Sequence, residues 1–206
     1  MALTSYSSLK TEIANYLGRS DLTSQIPTFI TLAELRLSRE IRTRKLLKSV
    51  TTTTTAGDST VEIPSDFLEM RDMYLSGNPR ISLNYNSPSA FTRNAQAEIS
   101  GKPGFYTILG QEFEFAPIPD KEYTVELLYY FKPTAMSDSV SSNEFLANYP
   151  DALLYASLAE AEPYLMNDAR IQVWSSLYDR AIANINVGDQ NSEFAGVPLT
   201  MSVTSR

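Results

Sequence analysis

Carboxylates are the side chains of this sequence whose spacing comes nearest to acid–base chemistry. Glu160 and Glu162 share one helical run, and Asp120 and Glu122 fall in a turn that leads into a strand. Two residues apart on a helix, Glu160 and Glu162 point to different faces, which is not the opposed arrangement that carboxylate-based hydrolysis needs. They read as ordinary solvated or interface carboxylates, and a hydrolase using these four groups alone is the enzymatic alternative. The sequence contains no histidine and no cysteine. Serine triads, thiolate nucleophiles, cysteine-based zinc sites and histidine-based metal sites are therefore excluded. Gly101-Lys-Pro-Gly104 contains proline and reads as a turn, not a phosphate-binding loop. No catalytic residue, cofactor or metal ligand is assigned.

Charge narrows the partners. The 206 residues carry 17 basic and 24 acidic side chains, a formal net charge of -7, which argues against a general nucleic-acid binder. One local exception stands out. Arg36, Arg39, Arg42, Arg44, Lys45 and Lys48 crowd into a short stretch against Glu40 alone. Cations near a helix C-terminus complement its dipole for about 0.3–1 kcal/mol each, and the same cluster is a candidate docking patch for an acidic neighbour. The 12 tyrosines and 9 phenylalanines suit core or subunit contacts, while exposed members such as Tyr85 or Tyr106 would suit a partner or a sugar.

These residues need elements to position them, and periodicity supplies the order helical, sheet, helical. With 43% hydrophobic residues the chain can bury a core. Thr4 or Ser5 caps a first helix carrying Tyr6, Leu9, Ile13, Tyr16 and Leu17, ended by Gly18. Ile26, Phe29, Ile30, Ala33, Leu37 and Ile41 mark a second, expected to stop near Arg44 because the β-branched run Thr51–Thr55 favours extended chain. Ala56-Gly-Asp-Ser then reads as a hairpin turn into Thr60–Ile63. Phe67–Leu75 and Arg80–Tyr85 read as a strand pair joined at Gly77-Asn-Pro79, and Ser87–Arg93 as a short helix. Phe105–Leu109, Glu112–Phe115 and Tyr123–Phe131 read as a three-stranded meander whose last strand, apolar on both faces through Leu128 and Tyr130, is central or covered.

After a Ser/Thr-rich linker from Pro133 to Asn143, Pro150 and Asp151 open a helix with the stripe Leu154, Leu158, Ala161 and Leu165. Beside it, Ala152, Ala156 and Ala159 form a ridge of small residues that lets a second backbone approach, from the same chain or a neighbouring subunit. The following run from Asp168 carries Ile171, Trp174, Leu177, Tyr178, Ala181 and Ile185 on one face, with Gly188 just past its end. The expected fold is α+β: a small helical bundle formed by N- and C-terminal helix pairs, an inserted antiparallel β domain, and an extended C-terminal tail. Its parts are 1–48, a helical pair; 49–133, the β domain; 134–188, the linker and C-terminal pair; and 189–206, the tail. No run of about 18 apolar residues spans a membrane, and the first residues lack a signal-peptide layout. A soluble protein made in the cytoplasm is expected.

The wording of both helical ends resembles one family. The segments Leu9–Leu22, Gln25–Ile30 and Leu32–Arg36, together with the helical pair from Tyr149 to Val187, are similar to the opening and closing helices of tailed-bacteriophage head-to-tail adaptors of the short-tailed phage type. The resemblance implies a non-enzymatic virion protein at the portal vertex. It would form a homo-oligomeric ring, of about twelve copies if it follows the family, bound to the portal protein on one side and to a tail or nozzle protein on the other. DNA would pass through without specific binding. In such adaptors a C-terminal extension docks on the portal, which makes Phe194, Val197, Leu199, Met201 and Val203 the candidate portal-binding residues. A virion carbohydrate- or receptor-binding module built on the aromatic β segment is the alternative from another class.

Overall fold

The computed structural model describes residues 3–19, 21–93, 99–165 and 168–193. The chain divides into two compact units, one made of Met1–Lys45 and Pro133–Arg206 and the other of Leu46–Lys132. Helices build the first and short strands the second, so the α+β class holds. No helix among the described residues is long and apolar enough to cross a membrane.

In the helical unit, α1 spans Tyr6–Leu17 and α2 spans Ile26–Glu40. Ser5 caps α1 through a reciprocal pair of bonds: its Oγ accepts the Ser8 N–H at 3.2 Å while Ser8 Oγ accepts the Ser5 N–H at 3.0 Å. Gly18, at φ 63°, ends α1 in the left-handed region open to glycine. Tyr16 departs from the expected apolar face, for it is 47% exposed. The second helix stops at Glu40 rather than near Arg44. Ile41 is already extended, and the Arg42 guanidinium donates to the carbonyls of Ser38 at 2.8 Å and Ile41 at 2.9 Å, which gives the terminal carbonyls a partner without another turn.

The return segment forms α4 (Glu144–Asn148), α5 (Pro150–Leu165) and α6 (Asp168–Glu193). The short α4, capped by Asn143, was not anticipated. α5 packs against α1, α2, α4 and α6, so it is buried well beyond a single stripe, from Ala152 round to Glu162. The last helix also differs from expectation. It runs through Gly188 to Glu193, because Ser192 Oγ donates to the Gly188 carbonyl at 2.7 Å and Arg44 Nη1 donates to the Ser192 carbonyl at 3.0 Å. The residues expected to begin an extended tail, from Asp189 to Glu193, are therefore helical; 194–206 lie outside the described residues.

In the β unit the strands are β1 (Leu47–Thr53), β2 (Thr60–Glu62), β3 (Phe67–Leu75), β4 (Ile81–Ser82), β5 (Asn84–Tyr85), β6 (Ser100–Gly101), β7 (Phe105–Leu109), β8 (Glu112–Ala116), β9 (Ile118–Pro119) and β10 (Thr124–Phe131), with α3 (Pro88–Arg93) between β5 and β6. They form two four-stranded sheets, β1-β10-β3-β4 and β2-β8-β7-β5, and a two-stranded one, β6-β9. Two local expectations fail here. The turn at Ala56–Ser59 does not close a hairpin: β1 pairs with β10 and β2 with β8. Nor do the last three long strands make a meander, for β7 and β8 form a hairpin around Gly110, while β10 lies between β1 and β3 in the other sheet. The physical reason is the core. Met73, Val125, Leu127 and Tyr129 from one sheet meet Tyr106, Phe113 and Phe115 from the other in one apolar cluster, and distributing these rings over two sheets buries them all. The unit is also not purely antiparallel, since β5 and β7, and β6 and β9, pair parallel.

Candidate interaction surfaces

The basic stretch after α2 is drawn into the fold to different degrees. Arg36 lies 3.2 Å from Glu40 and 3.8 Å from Glu160, with its guanidinium 4.1 Å over the Tyr178 ring. Tyr178 is buried and donates its hydroxyl to Glu40 Oε2 at 2.7 Å; burial first and this bond second push that hydroxyl far above the usual phenol range. One arginine thus ties α2, α5 and α6 together. Arg42 serves the end of α2, and Arg44 clasps the end of α6, where its main-chain N–H and its Nε both reach Asp189 Oδ1, at 3.1 and 3.2 Å. Lys45 is exposed, 5.8 Å from the Tyr149 ring centroid. Arg39 is exposed, without an ion pair among the described residues. Lys48 belongs to the β unit, where it contacts Asp66 at 2.6 Å. Of the six cations, Arg39 and Lys45 remain to offer charge outward. Lys45 borders a cleft of about 380 Å³ that Arg44, Tyr149, Asp151, Ile185 and Asp189 also line.

The alanine ridge is occupied within one copy. Ala152, Ala156 and Ala159 are all buried in α5, where their small side chains leave room for the neighbouring helices of the same unit. Trp174 on α6 is half-buried, with Tyr155 stacked 6.4 Å away and Tyr16 edge-on at 5.8 Å. Its indole N–H donates to Glu162 Oε1 at 3.0 Å. Glu162, expected to be solvated or at an interface, is fully buried, and its Oε2 has no hydrogen-bond partner among the described residues. The signal was present in the sequence: Glu162 lies four residues after Leu158 and eight after Leu154, on the buried stripe itself.

A second buried carboxylate was also missed. Glu34 accepts the Asn143 side-chain amide at 2.6 Å and the Met136 N–H at 3.1 Å, and Asn143 in turn caps α4 by accepting the Leu146 N–H. It is a structural pin between α2 and the returning chain. The carboxylates weighed for hydrolysis are divided between the two units. Asp120 and Glu122 belong to the β unit, Glu160 and Glu162 to the helical one, and among the described residues no group of three carboxylates could hold a metal. Asp120 accepts the Tyr123 hydroxyl at 2.7 Å and Glu160 faces Arg36. Of the aromatic pair expected to be exposed, Tyr106 is buried, and only Tyr85 is open, edge-on to it at 5.6 Å. The candidate portal-binding residues Phe194, Val197, Leu199, Met201 and Val203 lie outside the described residues.

The segments that resemble phage adaptors in sequence supply α1, α2, α5 and α6, which pack together in one unit. Residues 4–202 match the family model described as SU10 adaptor protein. With nearly its whole length covered, the chain belongs to the SU10 adaptor protein family, in keeping with a bacteriophage head-to-tail adaptor. No curated protein matches the chain.

Proposed function

We propose that this structural phage protein is one subunit of a ring of about twelve copies, joining the portal of the capsid to the next component of the tail. The family match over residues 4–202 carries this reading. Each subunit offers different faces to its two neighbours, which is what closes a ring by rotation. Arg39 and Lys45 supply a docking patch for an acidic neighbour, and the segment containing Phe194, Val197, Leu199, Met201 and Val203 reaches the portal. DNA passes through the opening without being read; a subunit of net charge -7 favours a lumen to which DNA does not adhere. The protein acts mechanically, within the virion, with no catalytic step.

The test is particle mass by light scattering and particle shape by negative-stain microscopy, for the chain alone and mixed with the portal protein of the same phage. Rings of about a dozen subunits in either sample are expected. A monomer that ignores the portal overturns the proposal. Because α6 runs to Glu193, a chain ending there is the proper variant for testing the portal contact, and unchanged portal binding by it would remove the assignment to 194–206.

A further inference from the structure

One edge of the sheet β1-β10-β3-β4 is open. β1 pairs with β10 through all seven of its residues without a register break, and no described strand lies on its other side. The Thr54 N–H donates to the Tyr123 carbonyl at 2.9 Å, and this bond sets the parity of the antiparallel ladder. Val50 and Thr52 bond toward β10, whereas Ser49, Thr51 and Thr53 turn N–H and C=O outward. Those three residues are exposed, while Val50 and Thr52 are half-buried. Natural sheet edges are blunted by charge, proline or a bulge. Between Ser49 and Thr53 there is none of these, and the nearest charge, Lys48, is held by Asp66.

A complementary pattern exists in the same chain. Val197, Leu199, Met201 and Val203 alternate with Pro198, Thr200, Ser202 and Thr204, the period of a half-buried strand, without a single charge. Proline has no N–H to give, so in a two-strand pairing its position must face away from the partner. That requirement selects the odd-numbered residues for bonding. Antiparallel pairing of Leu199, Met201 and Val203 with Thr53, Thr51 and Ser49 satisfies it and uses the outward groups of those three edge residues. The face it uses is the outer one. Residues directly opposite share a side of the sheet, and Thr53, Thr51 and Ser49 lie opposite Thr124, Glu126 and Leu128, so Leu199 and Met201 join a mainly polar side while Val203 comes into line with the half-buried Leu128.

We propose that segment 197–204 of one copy adds as a strand to the β1 edge of the neighbouring copy. The proposal rests on the ring reading above and names the contact between its subunits. Tail and edge are different surfaces, so the contact is head-to-tail and continues from copy to copy instead of closing a pair. Pairing consumes backbone groups and leaves the apolar side chains on one face, so it uses different chemistry from the portal contact.

The absence of native cysteine allows a direct test on the full-length chain. A tagged Thr51→Cys chain is mixed with an untagged Met201→Cys chain and oxidised. Directly opposed residues of an antiparallel pair lie about 5.5 Å apart at Cα, within disulfide range, so a mixed covalent dimer is expected. Adding Leu199→Pro to the Met201→Cys chain removes an inward donor and should cut the yield about tenfold, whereas adding Thr200→Pro, on the outward parity, should leave it unchanged. Equal loss with both prolines, or no mixed dimer at all, overturns the proposal. A chain carrying both cysteines that closes only on itself overturns it as well. Rings seen by microscopy without the cross-link would reject the strand pairing and keep the ring; a cross-link of the right parity in particles that are not rings would do the reverse.

Discussion

Glu162 on α5 and Trp174 on α6 are joined by one hydrogen bond of 3.0 Å, from the indole N–H to a carboxyl group that is otherwise fully buried. Removing the donor leaves both oxygens of Glu162 without the bond that compensates their burial. Trp174→Phe is therefore expected to cost about 1–3 kcal/mol, while Glu162→Gln keeps an acceptor for the indole and should stay within about 1 kcal/mol of the parent. Urea unfolding of the two variants decides it. The opposite ranking would show that the contact is incidental to stability.

Gly188 lies inside α6 with open space where a Cβ would stand. Alanine there should stabilise the chain by about 0.4–1 kcal/mol, mainly by restricting the unfolded state. If Gly188 instead ended the helix in a left-handed conformation, the same substitution would destabilise it. The shift of the unfolding midpoint in Gly188→Ala separates the two.

Asp66 receives the Lys48 ammonium at 2.6 Å and the Tyr129 hydroxyl at 2.8 Å. Burial works against its ionisation, but these two bonds outweigh burial and hold the carboxyl below its usual range. With the folded value depressed, the unfolded chain binds more protons in acid. The contribution is thus fully present above the unfolded value of about 3.9 and is lost as pH falls through the lower folded one. Unfolding midpoints measured from pH 6 downward should fall less steeply for Asp66→Asn than for the parent; parallel curves would remove Asp66 as a cause.

Ala156 is fully buried in a helix packed on several sides. A larger side chain has no room, so Ala156→Leu should cost about 1–3 kcal/mol in the isolated chain, whatever its state of assembly. A variant as stable as the parent that fails only to assemble would place the alanine ridge at a subunit contact.

Much of the helical unit was legible because its signals are local. Ser5 and Gly18 bound α1 by capping chemistry that acts within a single turn, and Ile26 to Ile41 show their buried face by spacing alone. The end of α6 was not legible, since it depends on Arg44, remote in sequence, reaching Ser192 and Asp189. Strand positions in the β unit could be read from alternation, but their partners could not. A turn such as Ala56–Ser59 looks the same whether it closes a hairpin or carries the chain to a second sheet, and only the joint burial of Phe113, Tyr129 and their neighbours decides between them. Of the basic stretch, the sequence shows the crowding of charge; which cations are consumed by Glu40, Glu160 and Asp189 follows from helix packing.

The position of β10 has a consequence for how the protein is made. β1 and β3 emerge from the ribosome early, yet the strand that lies between them is the last of the unit to be synthesised. The same delay governs α1 and α2, whose packing partner α5 follows the entire β unit. Nascent chains should therefore carry β1 without a partner and β3 paired only with β4 until β10 is made, and α1 and α2 without α5 for longer still, a period in which closing long loops limits the rate and exposed apolar surface is most open to chaperones.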